Sequence, residues 1–554
     1  MTNKVKYTIP SILQESVKKF ADNTSLVYAG ETDYTYRQMG NDVKKIAALL
    51  KKLGIKKADN VAILSTNMPN WGLAFFSISW AGATAVPILP DFHINEVKTI
   101  LKHSESKVLF VSKLLYQHLD EEAIQMLEHI ILVENFAVIP AGTPANEVLK
   151  LDSSLSDSEI QTEPAHVVES DLASIIYTSG TTGTSKGVML THKNLTWTAE
   201  KSFTLQQIDG NDRFLSVLPL SHTLENTLCL LFPVKFGASV HYLRKPPVAS
   251  VLLPALKKVK PTMMLVVPLI IEKVFKSKIL PKFQKSPVTR LLYSLPPFRK
   301  VLHRVAAKKL YQTFGGELRF FGIGGAKLDS AVEQFLYEGK FPYAIGYGLT
   351  ETSPLLAGAV GKNVRIGSTG LAMDGVKLRL GDADLKTGEG EIQAKGENVM
   401  RGYYKSPELT QEVFTKDGWF KTGDKGWYDK ENFLYIKGRI KTMIVGASGE
   451  NIYPEEIESV INKMRFVLES LVVEKKGKLV AMVHLNMDEV EQHFKYLKEG
   501  AHQYISEKSD DILAEIQRKV NAQLNKFSRL QVVVLQPTPF EKTPTKKIKR
   551  FLYA

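Results

Sequence analysis

At 554 residues the chain is long enough for three or four domain-sized units of about 150 residues each. Hydrophobic residues at 44% and charged residues at 23% exclude a largely disordered chain, and the single cysteine, Cys229, excludes an internal disulfide, Cys-rich zinc modules and iron–sulfur clusters. The net charge of +14 admits nucleic acid, phosphorylated ligands or an anionic membrane surface as partners without choosing among them.

The amino terminus, Met-Thr-Asn-Lys-Val-Lys-Tyr-Thr-Ile-Pro, lacks the apolar core of a signal peptide. Apolar residues at helical spacing predict a helix over residues 42–53, closed by Gly54, and a strand follows at 60–64. Residues 73–90 carry no charge and are the best candidate for a membrane span. They divide into a helix-like half and a Val-Pro-Ile strand-like half, so a buried helix, turn and strand are predicted instead. The expectation is an intracellular, cytoplasmic protein. Runs at 108–111 and 130–133 read as buried strands between helix-like stretches, and this alternation predicts α/β layers with largely parallel sheets. Cys229, in Thr-Leu-Cys-Leu-Leu-Phe, reads as a buried thiol.

Residues 273–310 hold eleven Lys or Arg and no Asp or Glu. Leu291, Leu295, Phe298, Leu302 and Val305 recur there at near-helical spacing, interrupted by Pro296 and Pro297. One reading is a solvated basic face; the other is an anion-facing surface, either a peripheral contact with an anionic membrane or a site for the phosphates of a ligand. Beyond residue 439 the pattern changes. Pro454 opens a helix with Glu455, Glu456 and Glu458 in its first turns, residues 471–483 read as a hairpin with a Lys-Gly turn, and a strand is predicted near 532–535. The expected division is a large unit over 1–437, a linker over 438–442 and a small α+β domain over 443–554.

The strongest chemical signal is Tyr177-Thr178-Ser179-Gly180-Thr181-Thr182-Gly183-Thr184-Ser185-Lys186-Gly187, directly after the apolar run 172–176. Small hydroxyl side chains and glycines let backbone N–H groups approach phosphate oxygens, and Lys186 adds a positive charge. It is not a Walker A loop, because Gly187 stands where Ser or Thr must follow the lysine. Gly324-Gly325-Ala326-Lys327 lacks the third glycine of a dinucleotide fingerprint.

These residues resemble the adenylate-forming superfamily of acyl-CoA synthetases, luciferases and peptide-synthetase adenylation domains. Further blocks follow in that superfamily's order, from about Tyr34 to Arg550, and the closest likeness is to long-chain fatty acyl-CoA synthetases. The resemblance implies a large N-terminal portion of stacked α/β subdomains and a small mobile C-terminal domain. Residues 178–186 match the phosphate loop, and Leu218-Pro-Leu-Ser-His222 matches the loop whose His lines the acyl pocket. Gly325 and Ala326 match the loop that packs against adenine. In Gly346-Tyr347-Gly348-Leu-Thr350-Glu351, the match implies that Tyr347 stacks on adenine, Thr350 contacts the α-phosphate, and Glu351, with Thr178, holds Mg²⁺. The block over residues 390–404 is expected to be structural. Asp424 is implied to accept hydrogen bonds from the ribose hydroxyls and Arg439 to contact ribose and phosphate.

In Lys542-Thr543-Pro544-Thr545-Lys546-Lys547-Ile548-Lys549-Arg550, Lys547 matches the catalytic lysine, and Lys546 stands where glycine is usual. Lys441 matches the hinge, Thr442 replaces an acidic residue beside it, and Gly446, Gly449, Glu450 and Asn451 match the CoA channel. The resemblance thus implies an ATP-dependent, AMP-forming long-chain, or medium-to-long-chain, fatty acid–CoA ligase with ATP, fatty acid and coenzyme A as substrates. Two alternatives stay open: transfer of the acyl group to an acyl carrier protein, and a non-catalytic acyl or nucleotide sensor. Glu351, Asp424 and Lys547, which would separate the last, are all present. Nucleic acid is not expected as a partner, since no base-stacking aromatic motif is interleaved with the charge.

Overall fold

A computed structural model describes residues 7–156, 163–179, 185–445, 451–475, 477–494, 501–543 and 548–553. Two eight-stranded sheets dominate the first part of the chain. One runs, edge to edge, through Gly402–Tyr403, Ser185–Thr191, Leu172–Ser179, Thr84–Ile88, Asn60–Leu64, Val108–Val111, His129–Leu132 and Val138–Ile139. The other runs through Leu26–Tyr28, Ser239–Tyr242, Arg213–Ser216, Met263–Val266, Phe320–Ile323, Tyr343–Gly348, Leu355–Val360 and Leu371–Ala372. Their inner strands pair in parallel. Antiparallel neighbours occur toward the edges. This is the layered α/β architecture that the alternation of elements predicts.

The uncharged stretch at 73–90 is accounted for by burial. The helix Pro69–Trp80 buries eleven of its twelve residues, among them Trp71, Phe75 and Phe76. The strand Thr84–Ile88 that follows is buried along its length. A helix apolar all round needs protein on every side, and here it has it. Among the described residues no helix is long and apolar enough to cross a membrane. The helix foreseen at 42–53 begins earlier, at Tyr36. Thr35 and Gln38 form a reciprocal capping box there, which fixes the start six residues upstream of the apolar stripe.

The chain divides into two compact units, one of residues 1–328, 334–378 and 394–420, the other of 329–333, 379–393 and 421–554. The second unit contains most of a four-stranded sheet, Lys377–Gly381, Gly390–Lys395, Phe420–Tyr428 and Leu434–Arg439. It also contains a three-stranded sheet, Val467–Lys475, Lys478–Leu485 and Val532–Leu535. The helix Pro454–Ile461 packs its Ile457 and Ile461 into this unit's own apolar core with Val472, Ala481 and Val483. The hairpin foreseen at 471–483 is the pair Val467–Lys475 and Lys478–Leu485, longer at both ends than its apolar centre.

Candidate nucleotide and acyl site

In the first unit the phosphate-loop motif is carried by two antiparallel strands. Thr178 stands opposite Lys186, and Ser179 opposite Ser185. The strands therefore reach further into the motif than the apolar run 172–176 indicates. Gly180, Thr181, Thr182, Gly183 and Thr184 lie outside the described residues. Gly187 is required by close packing: a Cβ there would lie 2.9 Å from Ile175 Cγ2 and 3.3 Å from Tyr404 Cβ. The short strand Gly402–Tyr403 pairs beside it, with Tyr403 opposite Val188.

Tyr403 joins residues far apart in sequence. The Lys186 ammonium lies 5.4 Å from the centre of its ring, a cation–π distance. Its hydroxyl donates to Glu351 Oε1 at 2.9 Å, and the neighbouring Met400 amide donates to the Glu351 carbonyl at 2.8 Å. A cation, an aromatic ring and a carboxylate thus form one chain of contacts. Tyr404, the next residue, points the other way and meets the His103 ring edge-on at 5.6 Å. His103 in turn lies 2.7 Å from the Tyr177 hydroxyl, and burial lowers the imidazole's pKa. The block at 390–404 thus packs against Lys186 and Glu351. The available signal is the alternation of strand side chains, which sends Tyr403 and Tyr404 to opposite faces.

The other first-unit residues lie beyond the carboxyl ends of parallel strands in the second sheet, where open α/β sheets bind ligands. His222 follows Arg213–Ser216, Gly325 and Ala326 follow Phe320–Ile323, and Tyr347 closes the strand Tyr343–Gly348. Gly324 connects them: a Cβ there would lie 3.5 Å from the Gly346 carbonyl and 3.6 Å from Leu224 Cδ2. His222 caps its short helix, its Nδ1 accepting the Leu224 amide at 3.2 Å. Thr350 and Glu351 sit in a single 3₁₀ turn, Thr350–Thr352. Thr352 braces that turn by donating to the Pro354 carbonyl at 2.6 Å, and Asn398 donates to the Thr352 and Leu355 carbonyls. Gly348 admits no side chain, since a Cβ would lie 1.7 Å from the Pro354 carbonyl oxygen.

The helix that begins at His222 continues into Glu225 and Cys229, both fully buried. Ser216 Oγ donates to Glu225 Oε1 at 2.6 Å, yet burial still raises this carboxyl to about 7. Burial and the adjacent Glu225 push the Cys229 thiol well up, so it is an inert, buried thiol as its apolar context predicts.

In the second unit Asp424 and Arg439 are cross-strand partners. Asp424 is buried, and Arg439 Nε donates to its Oδ1 at 2.9 Å while Nη1 donates to the Thr422 carbonyl at 3.1 Å. The resemblance implies ligand contacts for each of these residues; the fold also joins them to each other. Lys441 lies exposed in the 3₁₀ turn Ile440–Thr442. Thr442, where acidic residues are usual, donates to Glu455 at 2.8 Å, so it serves the partner that an acid would repel. Arg550 is held against the helix Pro454–Ile461 through Glu458, at 2.6 Å. Lys542 stands opposite Ile548 as an antiparallel bridge and pairs with Glu469. Lys546, Lys547, Gly446, Gly449 and Glu450 lie outside the described residues; Asn451 begins the strand Asn451–Ile452.

The layered, largely parallel sheets define an α/β fold, with the motif residues at or just beyond strand ends. A family model described as AMP-binding enzyme matches residues 13–404. The FadD15 long-chain-fatty-acid–CoA ligase of Mycobacterium bovis is 29% identical over 94% of this chain and 90% of its own. The AEE15 long-chain-fatty-acid–[acyl-carrier-protein] ligase of Arabidopsis thaliana is 27% identical over 87% of this chain and 77% of its own. Among solved structures, the o-succinylbenzoate coenzyme A synthetase of Bacillus subtilis in complex with AMP superposes with a TM-score of 0.76 over 98% of both chains, at 23% identity. The chain belongs to the AMP-binding enzyme family, the adenylate-forming ligases.

Proposed function

We propose that this ligase acts on long or medium-to-long fatty acids, converting ATP, fatty acid and coenzyme A into acyl-CoA, AMP and pyrophosphate. The observation that carries the reading is that relatives aligned over 82% and 94% of the chain are named long-chain-fatty-acid–CoA ligases. In the first half-reaction a carboxylate oxygen attacks the α-phosphorus of ATP. The bond to the bridging oxygen breaks and pyrophosphate leaves. The loop over 178–186 is assigned to the pyrophosphate, with Lys186 steadied over Tyr403 so that its charge is in place before substrate arrives. Tyr347 is assigned to adenine, Gly325 and Ala326 to the wall beside it, Thr350 to the α-phosphate, Asp424 to the ribose hydroxyls with Arg439 beside it, and Lys547 to the charge shared by carboxylate and phosphate.

Glu351 and Thr178 supply hard oxygen donors, and among the described residues no cluster of three His, Cys, Asp or Glu could cage a metal by itself. That donor set suits Mg²⁺, which is held by one or two carboxylates together with substrate phosphates and neutralises charge on the triphosphate. In the second half-reaction the coenzyme A sulfur attacks the acyl carbon. AMP departs with the C–O electron pair, and the thiol proton passes to solvent. A rotation about Lys441 is proposed to withdraw Lys547 and to bring residues 446–451 to the pantetheine arm. The AEE15 relative favours a second reading, in which a carrier protein supplies the thiol. Mass spectrometry of products from ATP, Mg²⁺, coenzyme A and a ladder of carboxylic acids tests the proposal. Acyl-CoA restricted to short or aromatic acids, or adenylate without any CoA thioester, would overturn it.

A further inference from the structure

We propose that the helices Pro287–Ser294 and Pro296–Thr313 form a docking surface for an anionic lipid bilayer. The longer helix has two apolar faces. One carries His303, Ala307 and Leu310, all buried against the protein. The other carries Phe298, Val301 and Val305, which are 51%, 56% and 66% exposed. At 100° per residue these two sets fall on opposite sides of the helix, so the second stripe is not used by the fold. Val288 and Leu291 of the shorter helix are also exposed, as is Leu295, the extended residue between the two helices. The shorter helix buries none of its residues. The exposed stripe runs through Val301 in place of Leu302, which is partly covered.

The charge around the stripe has one sign. Lys300, Arg304 and Lys308 are exposed at four-residue intervals along one flank, Lys309 lies on the other, and Lys282, Lys285 and Arg290 are exposed in the preceding segment. Residues 273–310 contain no acid to offset them. Arg299 is the exception: it forks onto Glu338 at 2.8 and 3.1 Å, and His303 lies 2.8 Å from the same carboxylate. Arg299 therefore anchors the helix to the protein and does not belong to the outward charge.

An apolar stripe bordered by cations matches an interfacial surface, where side chains such as Phe and Val enter the acyl boundary and Lys and Arg meet headgroup phosphates. A second copy of the chain fits poorly, because a two-fold contact would set these cations against each other. A nucleic acid has no use for the valines, which cannot stack on bases. The surface contains none of the residues assigned to the reaction, so its test is independent of the proposed activity.

The test is co-flotation of the full-length protein with vesicles of phosphatidylcholine alone and of phosphatidylcholine with phosphatidylglycerol. Binding is expected only to the mixed vesicles. It should fall when ionic strength rises from about 0.1 to about 1 M, which shortens the Debye length from about 10 to about 3 Å. Each basic residue near an anionic leaflet raises partitioning about fivefold. The variant K282Q/K285Q/R290Q/K300Q/R304Q/K308Q should therefore bind at least about 100-fold more weakly. F298S/V301S/V305S should bind about tenfold more weakly while keeping the wild-type circular dichroism and thermal midpoint. Equal binding to both vesicle types would overturn the proposal. So would undiminished binding by the serine variant combined with displacement by duplex DNA, which would make the surface a polyanion site. A dimer in sedimentation velocity that the serine variant abolishes would equally overturn it, as a contact between copies.

Discussion

Replacing Tyr403 with Phe removes one hydroxyl and leaves the ring under Lys186 in place. The lost hydrogen bond is the 2.9 Å donation to Glu351 Oε1. Hydrogen bonds to charged acceptors contribute about 1.5–3 kcal/mol, and Glu351 is only partly buried, so water can replace the donor in part. The lower figure applies, and at about 1.4 kcal/mol per decade it corresponds to roughly a tenfold loss. Pyrophosphate release measured against Mg·ATP at saturating fatty acid should show kcat/KM reduced by about that factor. The thermal midpoint should stay close to wild type, because the buried ring is retained. The decisive measurement is a double-mutant cycle with Glu351→Gln. If Tyr403 acts by orienting the carboxylate, its substitution should be nearly silent in the Gln background. Equal losses in both backgrounds, or no loss at all, would refute the reasoning.

Lys547→Ala should nearly abolish pyrophosphate release, by roughly 10²–10³-fold for a lost charge-stabilising contact of about 3–4 kcal/mol, yet still convert supplied acyl-adenylate to acyl-CoA; Lys546→Gly in the same background shows whether the neighbouring ammonium substitutes. Lys441→Pro, which fixes φ at the proposed hinge, should keep adenylation and lose thioester formation, as read by separate assays of the two half-reactions. Glu225 has a carboxyl raised from the usual glutamate range to about 7 in the folded protein. Folding therefore takes up a proton between about pH 4.5 and 7, and stability falls as pH rises through that window, by about 3 kcal/mol in all. Glu225→Gln should flatten this slope in thermal melts and be the more stable protein at pH 8; an unchanged slope would place the titration elsewhere. Gly348→Ala should fail to fold or lose ATP binding, because its Cβ would lie 1.7 Å from the Pro354 carbonyl oxygen; a soluble, ATP-binding variant would contradict that geometry.

What the sequence determined by itself was local and periodic. The alternation of apolar runs placed the strands at 60–64, 108–111 and 532–535, and these are the observed Asn60–Leu64, Val108–Val111 and Val532–Leu535. The pattern of glycines and hydroxyls between residues 177 and 187 is equally local, and it carries the proposal of a phosphate loop because such residues let backbone N–H groups come close to an anion. The helix-to-strand change inside 73–90 separated a buried helix from a membrane span, since period is written in the chain itself. Tertiary structure decided the contacts between residues remote in sequence. Nothing at position 403 announces that its hydroxyl will reach Glu351, 52 positions away, while its ring lies against Lys186. Nothing in the basic stretch announces that Arg299 will be taken by Glu338 whereas Lys300 and Arg304 stay outside. Each of these depends on which face of an element meets the core and on the register between strands. A one-residue slip reverses both, and only the packed fold sets them.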